Sequence, residues 1–171
     1  VNENTTYNRQ LIIHEIMGRN CGWLTAATAL EYRKRLNNHN FIPDIGIIKE
    51  KWEVHSILIP EHKMVLEEEC IRLNKVMDKY DCVNIFVSEG AGVEIIIEES
   101  KKSGITVSRD PFGHVELDKI NNGVWFAEQF GKRLNAKKIL IQKSGYFGRS
   151  AKANKADLDL IFEVADHAVY S

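Results

Sequence analysis

Three short segments of this 171-residue chain concentrate residue types that bind anions and sugars. Met17-Gly18-Arg19-Asn20-Cys21-Gly22 combines two glycines, which let a main chain approach a ligand closely, with an arginine whose planar guanidinium forks onto phosphate. It leads into an Ala- and Leu-rich stretch that reads as a helix, whose amino end offers unpaired N–H groups to an anion. The plainer alternative is a tight strand-to-helix turn with a surface arginine, and spacing alone leans that way. Ser88-Glu89-Gly90-Ala91-Gly92 carries a carboxylate able to accept hydrogen bonds from sugar hydroxyls. Otherwise Glu89 is an exposed helix-start residue answering the helix dipole, the better reading when the segment stands alone. Lys143-Ser144-Gly145-Tyr146-Phe147-Gly148-Arg149-Ser150 brings two cations, hydroxyls and two glycines together, the densest set of anion-binding groups in an otherwise neutral chain. Tyr146 and Phe147 also fit a plain packing role.

Other chemistries find no support. Lys+Arg 23 against Asp+Glu 24 gives a net charge of −1, which predicts neither a nucleic-acid-binding surface nor an acidic disordered chain. Gly90 and Gly92 begin a dinucleotide fingerprint, but its third glycine position is Ile95. The six histidines show no H-E-x-x-H spacing, and Asp157 and Asp159 sit in an expected surface helix, so no metal ligands are assigned within the chain. Asp110-Pro111-Phe112-Gly113 is not a kinase D-F-G, and no G-x-x-x-x-G-K-[ST] loop occurs. Cys21, Cys70 and Cys82 lack a C-x-x-C pair and are expected to be reduced, half-buried packing residues. No apolar run reaches the roughly 18 residues a membrane helix needs, and the first ten residues are polar, which predicts a soluble, cytoplasmic protein.

The elements that must position these segments follow from hydrophobic periodicity. With 44% hydrophobic residues the chain supports one buried core. Leu11 to Ile16, Val54 to Ile59, Val83 to Val87 and Lys138 to Gln142 are short, β-branched and expected to be largely buried strands. Between them, helices are expected from Trp23 to Leu36 and along Leu66, Cys70, Leu73, Met77 and Tyr80, whose alternating steps of four and three leave Glu67, Glu68 and Glu69 on a solvated face. Val93 to Glu99 suits either element and is assigned to helix. Further helices are expected along Leu117 to Leu134, despite Asn121-Asn122-Gly123, and from Asn154 onward, where Asp157 completes a capping pair. Strands alternating with helices predict an α/β fold with a mostly parallel sheet covered on both faces, and such sheets bind ligands at the carboxyl ends of their strands. All three segments fall at those ends. The start at Val1 and the stop at Ser171, directly after an apolar periodic stretch, suggest a piece of a longer protein.

With these residues in view, the sequence resembles the phosphofructokinase family, most of all its pyrophosphate-type subgroup. EIMGRNCGWLTAATA is similar to the family's Met-Gly-Arg segment, FVSEGAG to its strand-end Glu segment, SGYFGRS to its Tyr-x-x-Arg segment, and DPFGHVELDKIN to subgroup sequence. The resemblance implies the Rossmann-like part of a phosphofructokinase fold. It also implies that Met17, Gly18 and Arg19 contact fructose 6-phosphate, with Glu89 on a sugar hydroxyl and Tyr146 and Arg149 at the phosphate. Lys143 lies beside them as a further source of positive potential. The implied reaction is phosphoryl transfer from pyrophosphate or ATP, with Mg2+, to the sugar's 1-hydroxyl, in a cytoplasmic glycolytic homo-oligomer.

The departures from the family pattern bear on what this chain does alone. The Thr-Ile-Asp-Asn-Asp segment that holds the family's catalytic base and the Gly-Gly-Asp segment that holds donor and Mg2+ do not occur here. Residues 1–171 are therefore expected to be the acceptor-sugar portion of a larger enzyme, inactive alone, with no catalytic base and with Mg2+ bound mainly elsewhere. The alternative is a non-catalytic regulatory copy whose pocket binds a sugar phosphate. Retention of Arg19, Glu89, Tyr146 and Arg149 favours the catalytic reading.

Overall fold

The structure, a computed structural model, describes residues 4, 6–102, 104, 108, 111, 113, 116 and 120–170. Its centre is a four-stranded, all-parallel sheet made of β1 (Gln10–Ile16), β2 (Ser56–Leu58), β3 (Cys82–Ser88) and β4 (Lys138–Lys143), in the order β2-β3-β1-β4. The helices are α1 (Trp23–Asn37), α2 (Leu66–Tyr80), α3 (Val93–Lys102), α4 (Asn122–Arg133), α5 (Gly145–Ser150) and α6 (Lys155–Tyr170). The expected α/β architecture is present, and Val93 onward is helical. Leu117 and most of the DPFGHVELDKIN segment lie outside the described residues.

Side-chain alternation divides the sheet into two faces. Leu11, Ile13, Val83, Ile85 and Val87 pack against Leu73 and Met77 of α2 and Phe126 and Phe130 of α4. The expected stripe on α2 faces this core, with Leu66, Cys70, Leu73 and Met77 buried. Each large apolar side chain fully buried here contributes roughly 1.5–3 kcal/mol. On the opposite face Ile16, Val54 and Phe86 meet Ala29 and Tyr32 of α1. Helix α4 lies close to the sheet because its glycines leave room: a Cβ at Gly131 would stand 2.5 Å from Ile139 Cδ1, and one at Gly123 would stand 3.4 Å from Ile141 Cγ2.

Several sequence expectations are corrected. β4 is not a buried strand: it pairs with β1 alone, and Ile139 and Ile141 remain 40% and 39% exposed. β2 is shorter than Val54 to Ile59, because the Asn84 amide donates to His55 Nδ1 at 2.9 Å rather than to a ladder carbonyl. Glu69 is not part of a solvated face. It turns inward, accepting hydrogen bonds from Ser56 Oγ (2.5 Å) and Arg72. Cys70 and Cys82 are buried, whereas Cys21 is exposed, so none is half-buried.

The final helix begins as expected, with the Asp157 amide donating to Asn154 Oδ1 at 2.9 Å. All its described residues are exposed, including Phe162 and Val169. No helix among the described residues is long and apolar enough to cross a membrane.

Candidate functional site

Strand order decides which loops meet. β1 sits between β3 and β4, in register Ile16↔Ser88 and Glu15↔Lys143. The segments leaving the carboxyl ends of these three neighbours are therefore side by side: Met17–Gly22, Glu89–Gly92 and Ser144–Ser150. The chain leaves β1 toward α1 on one face, while α4, downstream of β3, packs on the other. That divergence opens the crevice in which parallel sheets hold ligands.

The first two loops are stitched together through the main chain. The Glu89 amide donates to the Ile16 carbonyl (2.9 Å) and the Gly90 amide to the Gly18 carbonyl (3.2 Å). The Ser88 hydroxyl donates to the same Gly18 oxygen at 2.5 Å. Gly18 has φ +145°, a conformation that residues with side chains rarely adopt. The third loop is tied to β1, since the Ser144 amide and hydroxyl both donate to the Glu15 carbonyl, at 2.9 and 3.0 Å.

Of the expected site residues, Met17 and Gly18 are half-buried beside the third loop, a Cβ on Gly145 being 3.4 Å from Met17 Cγ. Arg19 is exposed at the crevice. Glu89 is half-buried, and its carboxylate takes no hydrogen bond or ion pair from the described residues. Tyr146 (84% exposed) and Arg149 stand on the outer surface of α5. Lys143 is engaged: its Nζ donates to Asn121 Oδ1 at 2.7 Å and lies 3.5 Å from Glu15 Oε1. The three expected segments therefore share one edge of the sheet, with Tyr146 and Arg149 unenclosed.

The helix amino end expected to meet an anion is occupied. The Gly22 amide donates to Glu61 Oε1 at 2.7 Å. This bond, one from its own amide and one from the Cys21 thiol hold the Glu61 carboxyl below the usual carboxylate range. A carboxylate already at the first turn of α1 repels a phosphate there.

Three contributors escaped the sequence reading. Glu61 is one. Asn122, 3% exposed, donates through Nδ2 to the carbonyls of Glu89 (2.7 Å) and Ala91 (2.6 Å). Glu15 accepts from the Gly123 amide at 2.8 Å. The signal available was the polar run Asn121-Asn122-Gly123 inside an otherwise amphipathic stretch. Beside the crevice a cavity of about 580 Å³ is lined by Arg19, Asn20, Glu61, His62, Lys63 and Gly90. A smaller one of about 360 Å³ reaches Phe126 beneath Gly92.

Known proteins resemble this chain in sequence and in fold. The chain is 55% identical over 169 residues, 99% of its length, to the pyrophosphate–fructose 6-phosphate 1-phosphotransferase of Methylomonas methanica. It is 55% identical over 161 residues, 94% of its length, to the protein of the same name from Methylotuvimicrobium alcaliphilum. It spans 41% and 39% of those two relatives. Among solved structures, a pyrophosphate-dependent phosphofructokinase from Nitrosospira multiformis superposes with a TM-score of 0.57 at 19% identity. That match covers 99% of this chain and 34% of that one, and is a likeness of fold. No family model matches the chain. The fold is thus that of a phosphofructokinase-type α/β sheet. Over nearly its whole length the chain is similar to relatives named as pyrophosphate–fructose 6-phosphate 1-phosphotransferases.

Proposed function

We propose that this chain is the acceptor-sugar portion of a pyrophosphate-dependent 6-phosphofructokinase and holds fructose 6-phosphate for phosphorylation at its 1-hydroxyl. The observation that carries the reading is the convergence of three segments on adjacent strand ends, in a chain 55% identical to relatives named for this reaction. Met17, Gly18 and Arg19 contact the substrate. The Glu89 carboxylate accepts from a sugar hydroxyl, and Tyr146 and Arg149 bind the 6-phosphate, the guanidinium through a planar fork. Lys143 is held by Asn121 and Glu15 and contributes positive potential rather than direct contact.

In the reaction the 1-hydroxyl oxygen attacks one phosphorus of pyrophosphate, the bridging P–O bond breaks, phosphate leaves, and the hydroxyl proton passes to a base. We assign no base within this chain. Its residues bind and orient the acceptor, which is much of what phosphoryl transfer requires. Among the described residues no group of three or more His, Cys, Asp or Glu could hold a metal ion. The resemblance implies Mg2+, which would bind mainly outside these residues. The remaining length of the relatives would supply donor, metal and base, and the chain alone would be inactive. Homo-oligomerisation belongs to the same proposal.

The test is Arg149→Ala in the full natural-length protein. KM for fructose 6-phosphate should rise at least about tenfold with KM for pyrophosphate little changed. An equal rise in both would remove Arg149 from the sugar phosphate.

A further inference from the structure

The amino end of α4 joins two loops that the proposed reading places on opposite ends of the sugar. Asn121 has φ +54°, a left-handed conformation that asparagine tolerates, and it turns the chain so that Asn122 points inward. Both Nδ2 hydrogens of Asn122 are spent on the main chain of the Glu89 loop, one on the Glu89 carbonyl itself. Among the described residues its Oδ1 is buried with no hydrogen-bond partner. An unpaired buried oxygen lowers stability, so the value of this side chain lies in its two donors. One residue on, the Gly123 amide donates to the Glu15 carboxylate, whose side chain is 14% exposed and whose other oxygen faces Lys143. The Asn121 side chain accepts from Lys143 at the end of β4, immediately before the Ser144–Ser150 segment. Space is part of the device: a Cβ at position 123 would stand 2.5 Å from Glu15 Oε2.

We propose that Asn122 and Glu15 are positioning residues that set the span between Glu89 and the Tyr146–Arg149 segment, and so the fit of fructose 6-phosphate between them. This rests on the proposed function. Asn122 acts through the carbonyls of Glu89 and Ala91, and Glu15 acts through Gly123, Lys143 and Ser144. Neither touches the sugar. Glu15 lies on β1 and Asn122 on α4, so the Glu15–Gly123 bond gives the two loops a common reference that the strand ladder alone does not provide.

The experiment uses the full natural-length protein with Asn122→Asp, which keeps the shape but replaces the two donors with an acceptor, and Glu15→Gln, which keeps an acceptor for Gly123 and removes the charge facing Lys143. KM for fructose 6-phosphate and for pyrophosphate, and the thermal midpoint, are measured for each. The expected result is a rise of about tenfold in KM for fructose 6-phosphate for Asn122→Asp, and a smaller one for Glu15→Gln, with KM for pyrophosphate unchanged. A lowered thermal midpoint with both KM values unchanged would make these residues merely structural and overturn the proposal. If Asn122→Asp does not fold, Glu15→Gln decides by the same criterion. Arg149→Ala run alongside separates the two claims. If it alone raises KM for the sugar phosphate, the positioning role fails and the site stands. If it has no effect, the site reading fails.

Discussion

The main chain at Arg19 rests directly on Gly90: a Cβ at position 90 would stand 1.6 Å from the Arg19 carbonyl oxygen. Two loops belonging to different strand ends are thus in backbone contact, and the glycine is required by that approach rather than by its own torsion angles. Gly90→Ala would force the Arg19 loop outward. The expected cost is about 1–3 kcal/mol of stability, read from the denaturation midpoint, together with weakened binding of fructose 6-phosphate. An unchanged midpoint would show that the loops are not packed as described.

His14 supplies a pH signature. It lies 5.0 Å from the Phe86 ring, centroid to centroid, and burial lowers its pKa from 6.5 to about 4. The unfolded chain therefore binds a proton between pH 6.5 and 4 that the folded chain refuses. The stabilisation is fully present above about 6.5 and is lost as pH falls toward 4, on the order of 3 kcal/mol across that window. His14→Leu should flatten this part of the stability profile, measured by denaturant unfolding at stepped pH. A wild-type slope that survives in the variant would assign it to other groups.

The three cysteines should behave unequally. Burial raises the Cys70 thiol to about 11 and the Cys82 thiol to about 12, while Cys21 is exposed two residues from Arg19. A maleimide under native conditions should label Cys21 alone among the three, as read by peptide mass. Fructose 6-phosphate should slow that labelling. Rapid modification of Cys70 or Cys82 in the folded protein would contradict the packing of α2 and β3.

Local patterns were legible in the sequence where one element's own periodicity determined the outcome. The α2 stripe needed only the spacing of Leu66, Cys70, Leu73 and Met77, and the last helix only Asn154 with Asp157. The three strand-end segments were also readable, because glycines and charged groups cluster there. Contacts between residues far apart in the chain were not readable. Nothing in the sequence placed Glu61 on the Gly22 amide, turned Glu69 under Ser56, or put His55 Nδ1 in place of a ladder carbonyl. The exposure of Ile139 and Ile141 was hidden for a related reason. Their alternation reads as a buried strand, and only the sheet order puts β4 at an edge.

The most direct test of the central claim is calorimetric titration of the full natural-length protein with fructose 6-phosphate, using fructose and Arg149→Ala as controls. The account predicts binding that requires the phosphate and weakens at least about tenfold in the variant. Equal binding of fructose, or a folded Arg149→Ala protein that binds fructose 6-phosphate as tightly as the wild type, would contradict it.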